Sequence, residues 1–508
     1  MRGRASSIAT AGGLALLAAF ALPILGCSGG SAVKRPRLVL LVGACTVNRD
    51  YLAPYNARVP YTPTLAALAR DGVVFERHRT ESGQSGTSFA SILSGSQAPT
   101  HGVYAHPARL DDQLDLLAES FQRAGWPTYF WFGHPMATPD LNYAQGVLPR
   151  NRHDFQRAHL RFSESDPPFR ALLDGLQEDP DAKAFVQLTF TYTHGPYMDG
   201  RQAQAFEAFR QNFPAETQLT HAELERRFAL YDKHKHELQW NLPEARERLG
   251  LEPREIDELA EAIEAAYKVG MLKMDAHLGL VVEALRTRGL LEDTLFVFTA
   301  DHGQVLYREG TLFHWTHGMQ LAPEVLDVPL ILVAPGLLEP QRYANVTRSI
   351  DVLPTIASLA GVADRVPREG TDLAPALLGQ APAPELVAWS HTTTISPALA
   401  EPAKGWTLLS SFFDTEPECM WVAARRGDQV AKLRRTPEGE WVTQVFDRAT
   451  DPLERNDRFD PQKADHARLR TELEAYKARL VEGFAGREGA VDLDASLERL
   501  RELGYVGR

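Results

Sequence analysis

The stretch Leu295–His302, LFVFTADH, sets the tightest limit on what this chain can fold into. All but its last two residues are apolar or β-branched, as in a parallel strand buried on both faces, and the run breaks at Asp301-His302-Gly303. Open α/β sheets build their sites at the carboxyl ends of such strands. Asp301 and His302 offer one metal ion an oxygen and a nitrogen, while Gly303 lets the backbone turn away beneath them. A strand followed by a polar turn is the plainer reading, so the rest of the chain has to decide.

A chain of 508 residues has room for one large domain and a smaller one. Its formal charge of −12 argues against non-specific nucleic-acid binding. Residues 1–26 read as an export signal: Arg2 and Arg4 precede an apolar run, Leu14 to Leu25, too short to span a bilayer. Ile24-Leu25-Gly26-Cys27 resembles a bacterial lipobox, which implies cleavage before Cys27 and lipid attachment to it; a plain signal peptide or an uncleaved anchor is the alternative. Residues 27–35 then form a flexible tether. The expectation is an exported body held by lipid at a bacterial membrane, on the periplasmic or cell-surface side. Cys45 and Cys419 remain in that body, and sequence alone does not place them within bonding reach.

Along the body, Arg37–Gly43 suits a first central strand, Pro63 opens a helix whose Leu65, Leu68 and Ala69 share a face, and Val73-Val74-Phe75 begins another strand. Residues 81–102 crowd small hydroxyls (Ser82, Ser85, Thr87, Ser88) before an apolar helical run. A hydroxyl at a helix N-terminus suits an oxyanion or phosphate-like ligand, although such clusters are more often plain N-caps. A charged, helix-rich insertion at about 200–265, with helices at Ala222–Trp240 and Arg254–Tyr267, either covers the site or stands as a solvated hairpin. An apolar helical period over Tyr267–Leu285 leads into the Asp301 strand. Beyond the Pro-rich Ala381–Pro384, short runs at Trp406–Phe413, Met420–Arg425, Val430–Arg434 and Trp441–Phe446, with a turn at Pro437-Glu438-Gly439, suggest a small antiparallel sheet. Helices at Pro461–Leu480 and Ala495–Leu503 close the chain.

Taken together and in order, these blocks resemble the sulfatase branch of the alkaline phosphatase superfamily. Thr62–Phe75 is similar to that family's TPNLxxLAxxGVxF block, and Ser85–Gly95, SGTSFASILSG, to its nucleophile block. Pro99–Gly102, Leu114–Thr128, Tyr192–Tyr197, Thr294–Gln304, His317-Gly318 through Leu330, Ser349–Val362 and Leu503–Val506 continue the series over nearly all of residues 36–508. The resemblance implies a three-layer α/β sandwich with a mostly parallel central sheet at 36–380, and a smaller subdomain with an antiparallel sheet at 385–508. It also implies Ser85 as nucleophile, Asp301 and His302 as metal ligands, and His194 and His317 as donors to the ester oxygens or acids for the leaving group.

Three departures bear on chemistry. Ala44-Cys45 stands where the family has Asp ligands, so Cys45 is a thiolate ligand, a small buried hydrophobe, or the mark of a lost metal. Thr87 and Phe89 occupy the positions where the formylglycine signal needs Pro and Arg, so an unmodified hydroxyl has to act. Gly83–Ser88 also resembles the GQGKTS of lipoteichoic acid synthases, which makes Thr87 the reserve nucleophile. The expected function is a hydrolase of sulfate or phosphate esters on a glycan, lipid or small molecule, using one divalent ion (zinc, manganese or calcium). A phosphodiesterase or phosphoglycerol-type transferase, and a non-catalytic binding protein, are the alternatives.

Overall fold

A computed structural model describes residues 34–104, 108–154, 166–239, 246–247, 249–308, 311, 313–392, 418, 420–436 and 440–485. The signal at 1–26, Cys27, Cys419, the run Trp406–Phe413, the turn Pro437–Gly439 and the helix Ala495–Leu503 lie outside these residues.

Eight strands form the central sheet: β1 (Leu38–Ala44), β2 (Val73–Arg79), β3 (Thr128–Phe132), β4 (Arg152–Asp154), β5 (Ala184–Phe190), β6 (Thr294–Ala300), β7 (Leu330–Val333) and β8 (Gln341–Arg348). Their order is β4-β3-β5-β1-β6-β7-β2-β8, and β7 runs antiparallel to both of its neighbours while the other pairs are parallel. The strand geometry sends alternate residues to opposite faces. Leu38, Leu40 and Val42 of β1 join Phe296 and Phe298 of β6 in one core, and Val39 and Leu41 join Leu295 and Val297 in the other. Two covered faces make three layers. Each such side chain contributes about 1.5–3 kcal/mol by burial.

The helices that matter for function are α1 (Pro63–Arg70), α2 (Ser85–Ser94), α3 (His221–Leu238), α4 (Pro253–Thr287), α5 (Val352–Ala360) and α6 (Ala464–Ala485). Where the sequence suggested two helices meeting at Tyr267, α4 is a single helix of 35 residues. Pro253 starts it, and the Glu255 carboxylate accepts the Glu252 N–H at 2.9 Å. Tyr267 lies inside its buried stripe, so nothing breaks the helix there.

The smaller sheet is antiparallel, in the order β12-β11-β10-β9, from β9 (Ala388–His391), β10 (Val422–Arg426), β11 (Gln429–Arg435) and β12 (Trp441–Asp447). Leu469, Leu473, Tyr476 and Leu480 of α6 pack on Val422, Leu433 and Val445 of this sheet. Strand β9 had no sequence signal, and it ties the sheet to the segment before α2: His391 N donates to Glu81 O at 2.8 Å and Ser390 Oγ to Thr80 O at 2.7 Å. No helix among the described residues is long and apolar enough to cross a membrane.

Candidate active site

Strand register builds the site. Ala44 at the end of β1 pairs with Phe190 of β5 and Ala300 of β6, so Cys45 and Asp301 leave the sheet at one level. Cys45 N donates to Phe190 O at 2.9 Å and Asp301 N to Ala44 O at 3.0 Å, extending the ladder one residue into the site. Gly303 then passes under the carbonyl of Glu324, which would lie 2.0 Å from any Cβ added there. The sequence suggested a backbone turn at this glycine; the structure adds that a side chain has no room there.

Ser85 is the first residue of α2, after Gln84 in extended conformation. Its Oγ lies 3.1 Å from His302 Nε2 and 3.7 Å from Cys45 Sγ. Because the i→i−4 bonds begin with Ser88 N on Gln84 O, the N–H groups of Ser85, Gly86 and Thr87 have no helical partner, the usual setting for an anion. Thr87 makes no hydrogen bond to these groups, and its buried hydroxyl has no partner.

Ring tautomers follow from the backbone partners. His302 Nδ1–H donates to Gly303 O at 2.9 Å, which leaves the Nε2 lone pair facing Ser85. His134, two residues beyond β3, accepts Met136 N–H on Nδ1 at 3.0 Å, so its proton sits on Nε2 and points at Cys45 Sγ, 3.1 Å away. Asp301 uses Oδ1 for Thr46 N and His302 N, while its buried Oδ2 has no hydrogen-bond partner and lies 3.5 Å from His302 Nε2. Burial first, and the Asp301 charge second, push the Cys45 thiol well above its usual range. Cys45 is in no disulfide.

A row of imidazoles leads outward: the His302 and His317 rings stack with centroids 4.2 Å apart, and His194 meets His317 edge-on at 5.4 Å. His317 Nδ1 is held by Gln304 Oε1 at 2.9 Å, and Gln304 Nε2 donates to Tyr197 Oη at 2.9 Å. His194 Nδ1–H donates to Gly195 O at 2.6 Å. Burial, helped by the charge of Lys235, pulls His194 down to about 3 against the opposing pull of that bond.

The insertion closes one side of this row. His314 Nε2–H donates to Leu238 O at 2.7 Å, Gln239 Nε2 donates to Trp315 O at 3.2 Å, and the Tyr231 ring packs 6.1 Å from Trp315 and 6.3 Å from Tyr197. Lys235 follows the kink at His234 in α3, and its charge acts on His194; burial lowers it to about 8, with Asp232 opposing.

The sulfatase family model matches residues 37–362, well over half of the chain. The chain belongs to the sulfatase family. Human arylsulfatase A is 30% identical over 387 residues, 71% of each chain. For three further curated relatives the chain spans 20%, 33% and 18% of their length. Among solved structures, the phosphonate monoester hydrolase of Agrobacterium radiobacter superposes with a TM-score of 0.57 at 21% identity, over 88% of this chain and 95% of that one. A protein solved with its substrate D-glucosamine-2-N,6-O-disulfate superposes at 0.62 and 16% identity, over 90% and 99%. At these identities the two structures establish the fold.

Members of the sulfatase family use a metal ion, and the donors here fit one. Asp301 Oδ2 is buried without a donor, and Cys45, His134 and Asp301 offer ligand atoms within 4.8 Å of one another. Of the residues singled out in the sequence, the structure gathers Cys45, Ser85, His194, Asp301, His302 and His317, and leaves the Thr87 hydroxyl without a hydrogen bond to any of them. His134, Gln304, Tyr197 and Lys235 were missed. Tyr197 and Gln304 close the blocks Tyr192–Tyr197 and Thr294–Gln304 but were given no role, and His134 carried a signal of its own: TYFWF followed by Gly133-His134 repeats the pattern of an apolar run stopped by a histidine.

Proposed function

We propose that this sulfatase-family protein is a metal-dependent hydrolase of phosphate, phosphonate or sulfate esters that uses the unmodified Ser85 hydroxyl as nucleophile. The observation that carries the reading is Ser85 Oγ standing at the N-terminus of α2, 3.1 Å from His302 Nε2, which is itself 3.5 Å from Asp301 Oδ2, so that an ion held by these two residues would adjoin the hydroxyl. A divalent ion held by Asp301, His302 and Cys45 would polarise the ester oxygen and lower the pKa of the Ser85 hydroxyl, whose proton passes to solvent. Ser85 Oγ forms a bond to phosphorus or sulfur as the bond to the leaving alcohol oxygen breaks. His317, held at Nδ1 by Gln304, gives that oxygen a proton from its cationic ring and recovers one from the water that then attacks the serine ester; the bond from Ser85 Oγ to phosphorus or sulfur breaks and Ser85 regains its proton from solvent. His194, expected from the sequence to be a donor to the ester oxygens, is neutral with Nδ1–H committed to Gly195, so its Nε2 is instead an acceptor for a hydroxyl of the substrate, and cationic Lys235 attracts the ester's charge. A serine phosphate is open to displacement at phosphorus, whereas a serine sulfate resists attack at sulfur, so the phosphorus esters are favoured.

The superposed structures, a phosphonate monoester hydrolase and a protein bound to a disulfated glucosamine, support screening both classes. Export and lipid attachment at Cys27 complete the proposal, with a glycan, lipid or small-molecule ester outside the membrane as substrate. The test is initial rates on 4-nitrophenyl phosphate, a phenylphosphonate monoester and 4-nitrophenyl sulfate, with Ser85→Ala beside wild type. Turnover of a phosphorus ester, lost in the variant, is expected; equal rates in the two proteins would remove Ser85 as nucleophile.

A further inference from the structure

We infer that the ion of this site is thiophilic, a zinc-type ion bound through the Cys45 thiolate, and that His134 serves the sulfur as a hydrogen-bond donor and is not itself a ligand. The inference rests on the proposed metal-dependent reading for its location and goes beyond it in donor set and ion identity.

Three acceptors meet beside Ser85: Cys45 Sγ, Asp301 Oδ2 and His302 Nε2. Asp301 Oδ2 is buried, has no hydrogen-bond partner within normal geometry, and lies 3.5 Å from His302 Nε2 and 3.9 Å from His134 Nε2. A cation between Asp301 Oδ2 and His302 Nε2 would satisfy both, and Cys45 Sγ lies within 4.8 Å of an Asp301 carboxylate oxygen. One sulfur, one nitrogen and one carboxylate make a borderline-soft set, which suits zinc and disfavours calcium or magnesium, whose ligands are oxygens. Three protein ligands leave an open position, which is the arrangement of catalytic zinc sites. Binding through sulfur needs the thiolate, so uptake breaks the S–H bond as an S–metal bond forms, and the proton passes to solvent.

His134 is close enough to ligate, but its tautomer opposes it. Nδ1 accepts Met136 N–H at 3.0 Å, so a neutral ring carries its proton on Nε2, 3.1 Å from Cys45 Sγ. Ligation through Nε2 would require loss of that proton or of the Met136 bond. As an N–H donor to sulfur, His134 instead tempers the charge of the thiolate and fixes its position.

The experiment loads the metal-stripped soluble body, residues 28–508, with cobalt(II) and records its absorption, with zinc, manganese and calcium stoichiometry measured in parallel. Wild type is expected to take up one cobalt or zinc ion and to show a near-ultraviolet thiolate-to-cobalt charge-transfer band. Cys45→Asp should lose the band while still binding an ion, now with manganese or calcium competing. His134→Ala should keep the band, with affinity lowered about 10- to 100-fold. His302→Ala should alter the visible cobalt bands. A cobalt-loaded wild type without the band, calcium binding as tight as zinc, or no stoichiometric ion would each overturn the inference. Loss of the band in a folded, cobalt-binding His134→Ala would overturn the role given to His134. The wild-type spectrum needs no variant to fold and no substrate. Failure to hydrolyse any ester therefore strikes the functional proposal and leaves this one standing.

Discussion

Ala44 of β1 lies directly opposite Ala300 of β6 in parallel register, so Cys45 and Asp301, one residue later, enter the same pocket. The geometry is exacting because the next turn has no room: a Cβ on Gly303 would meet Glu324 O at 2.0 Å. Gly303→Ala is therefore expected to displace Asp301 and His302, costing about 1–3 kcal/mol of stability as overpacking does. Turnover should fall more than tenfold. Thermal unfolding together with kcat checks this, and wild-type values for both would show that the turn has slack.

Lys235 brings positive charge to a site meant for an anion. Its ammonium, lowered to about 8 by burial, is charged below that pH and loses its charge as pH rises through it. Substrate binding should weaken above about pH 8, as a rise in KM. Lys235→Met should raise KM roughly tenfold at pH 7, about 1.4 kcal/mol, with little change in kcat. Lys235→Arg should move the alkaline limb out of range. A flat KM profile in wild type would detach the insertion from substrate binding.

Gln304 links Tyr197 to His317 through a donor on one side and an acceptor on the other. Gln304→Ala should lower kcat about 10- to 100-fold with KM nearly unchanged, because it frees the imidazole that protonates the leaving group. Gln304→Glu places a carboxylate against His317 Nδ1, which favours the charged ring and moves the limb due to His317 to higher pH. The pH profiles of kcat for the three proteins decide this.

Asp327 holds the central sheet to the smaller one. Its carboxylate meets Arg425 at 2.9 Å and Arg448 at 2.8 Å, with Arg49 at 3.7 Å and Arg79 at 3.8 Å. Burial alone would raise its pKa, but Arg448, Arg425, Arg49 and Arg79 hold it far below the usual carboxylate range. A depressed acid stabilises the fold at pH values above its unfolded pKa, near 3.9, and that stability is lost as pH falls below it. Asp327→Ala leaves buried guanidinium groups uncompensated and should cost about 3–5 kcal/mol at pH 7, with a smaller penalty in strong acid. Thermal melts of both proteins across pH 3 to 7 test the sign.

Much of this was legible in the sequence because the decisive signals are local. The continuous apolar runs ending at Ala44 and Ala300 mark central strands, and Asp301-His302-Gly303 marks where one stops. Ser85 was placed by its block and stands at the start of a helix. What escaped was long-range or weakly patterned. His134 comes to Cys45 from another strand, 89 positions away. Lys235 is one charge among many on α3, and only the docking of Leu238 and Gln239 on His314 and Trp315 gives it a place. Strand β9, Ala-Trp-Ser-His, is too short and polar to read as a strand; its pairing with Val422–Arg425 makes it one.

The most direct test of the central claim is the mass of the Ser85 peptide from enzyme quenched in acid during steady turnover of a phosphate or phosphonate ester. A phosphoryl or phosphonyl group on Ser85, absent before substrate and absent in Ser85→Ala, is the expected result. Turnover without any adduct on Ser85, together with undiminished activity in Ser85→Ala, would contradict it.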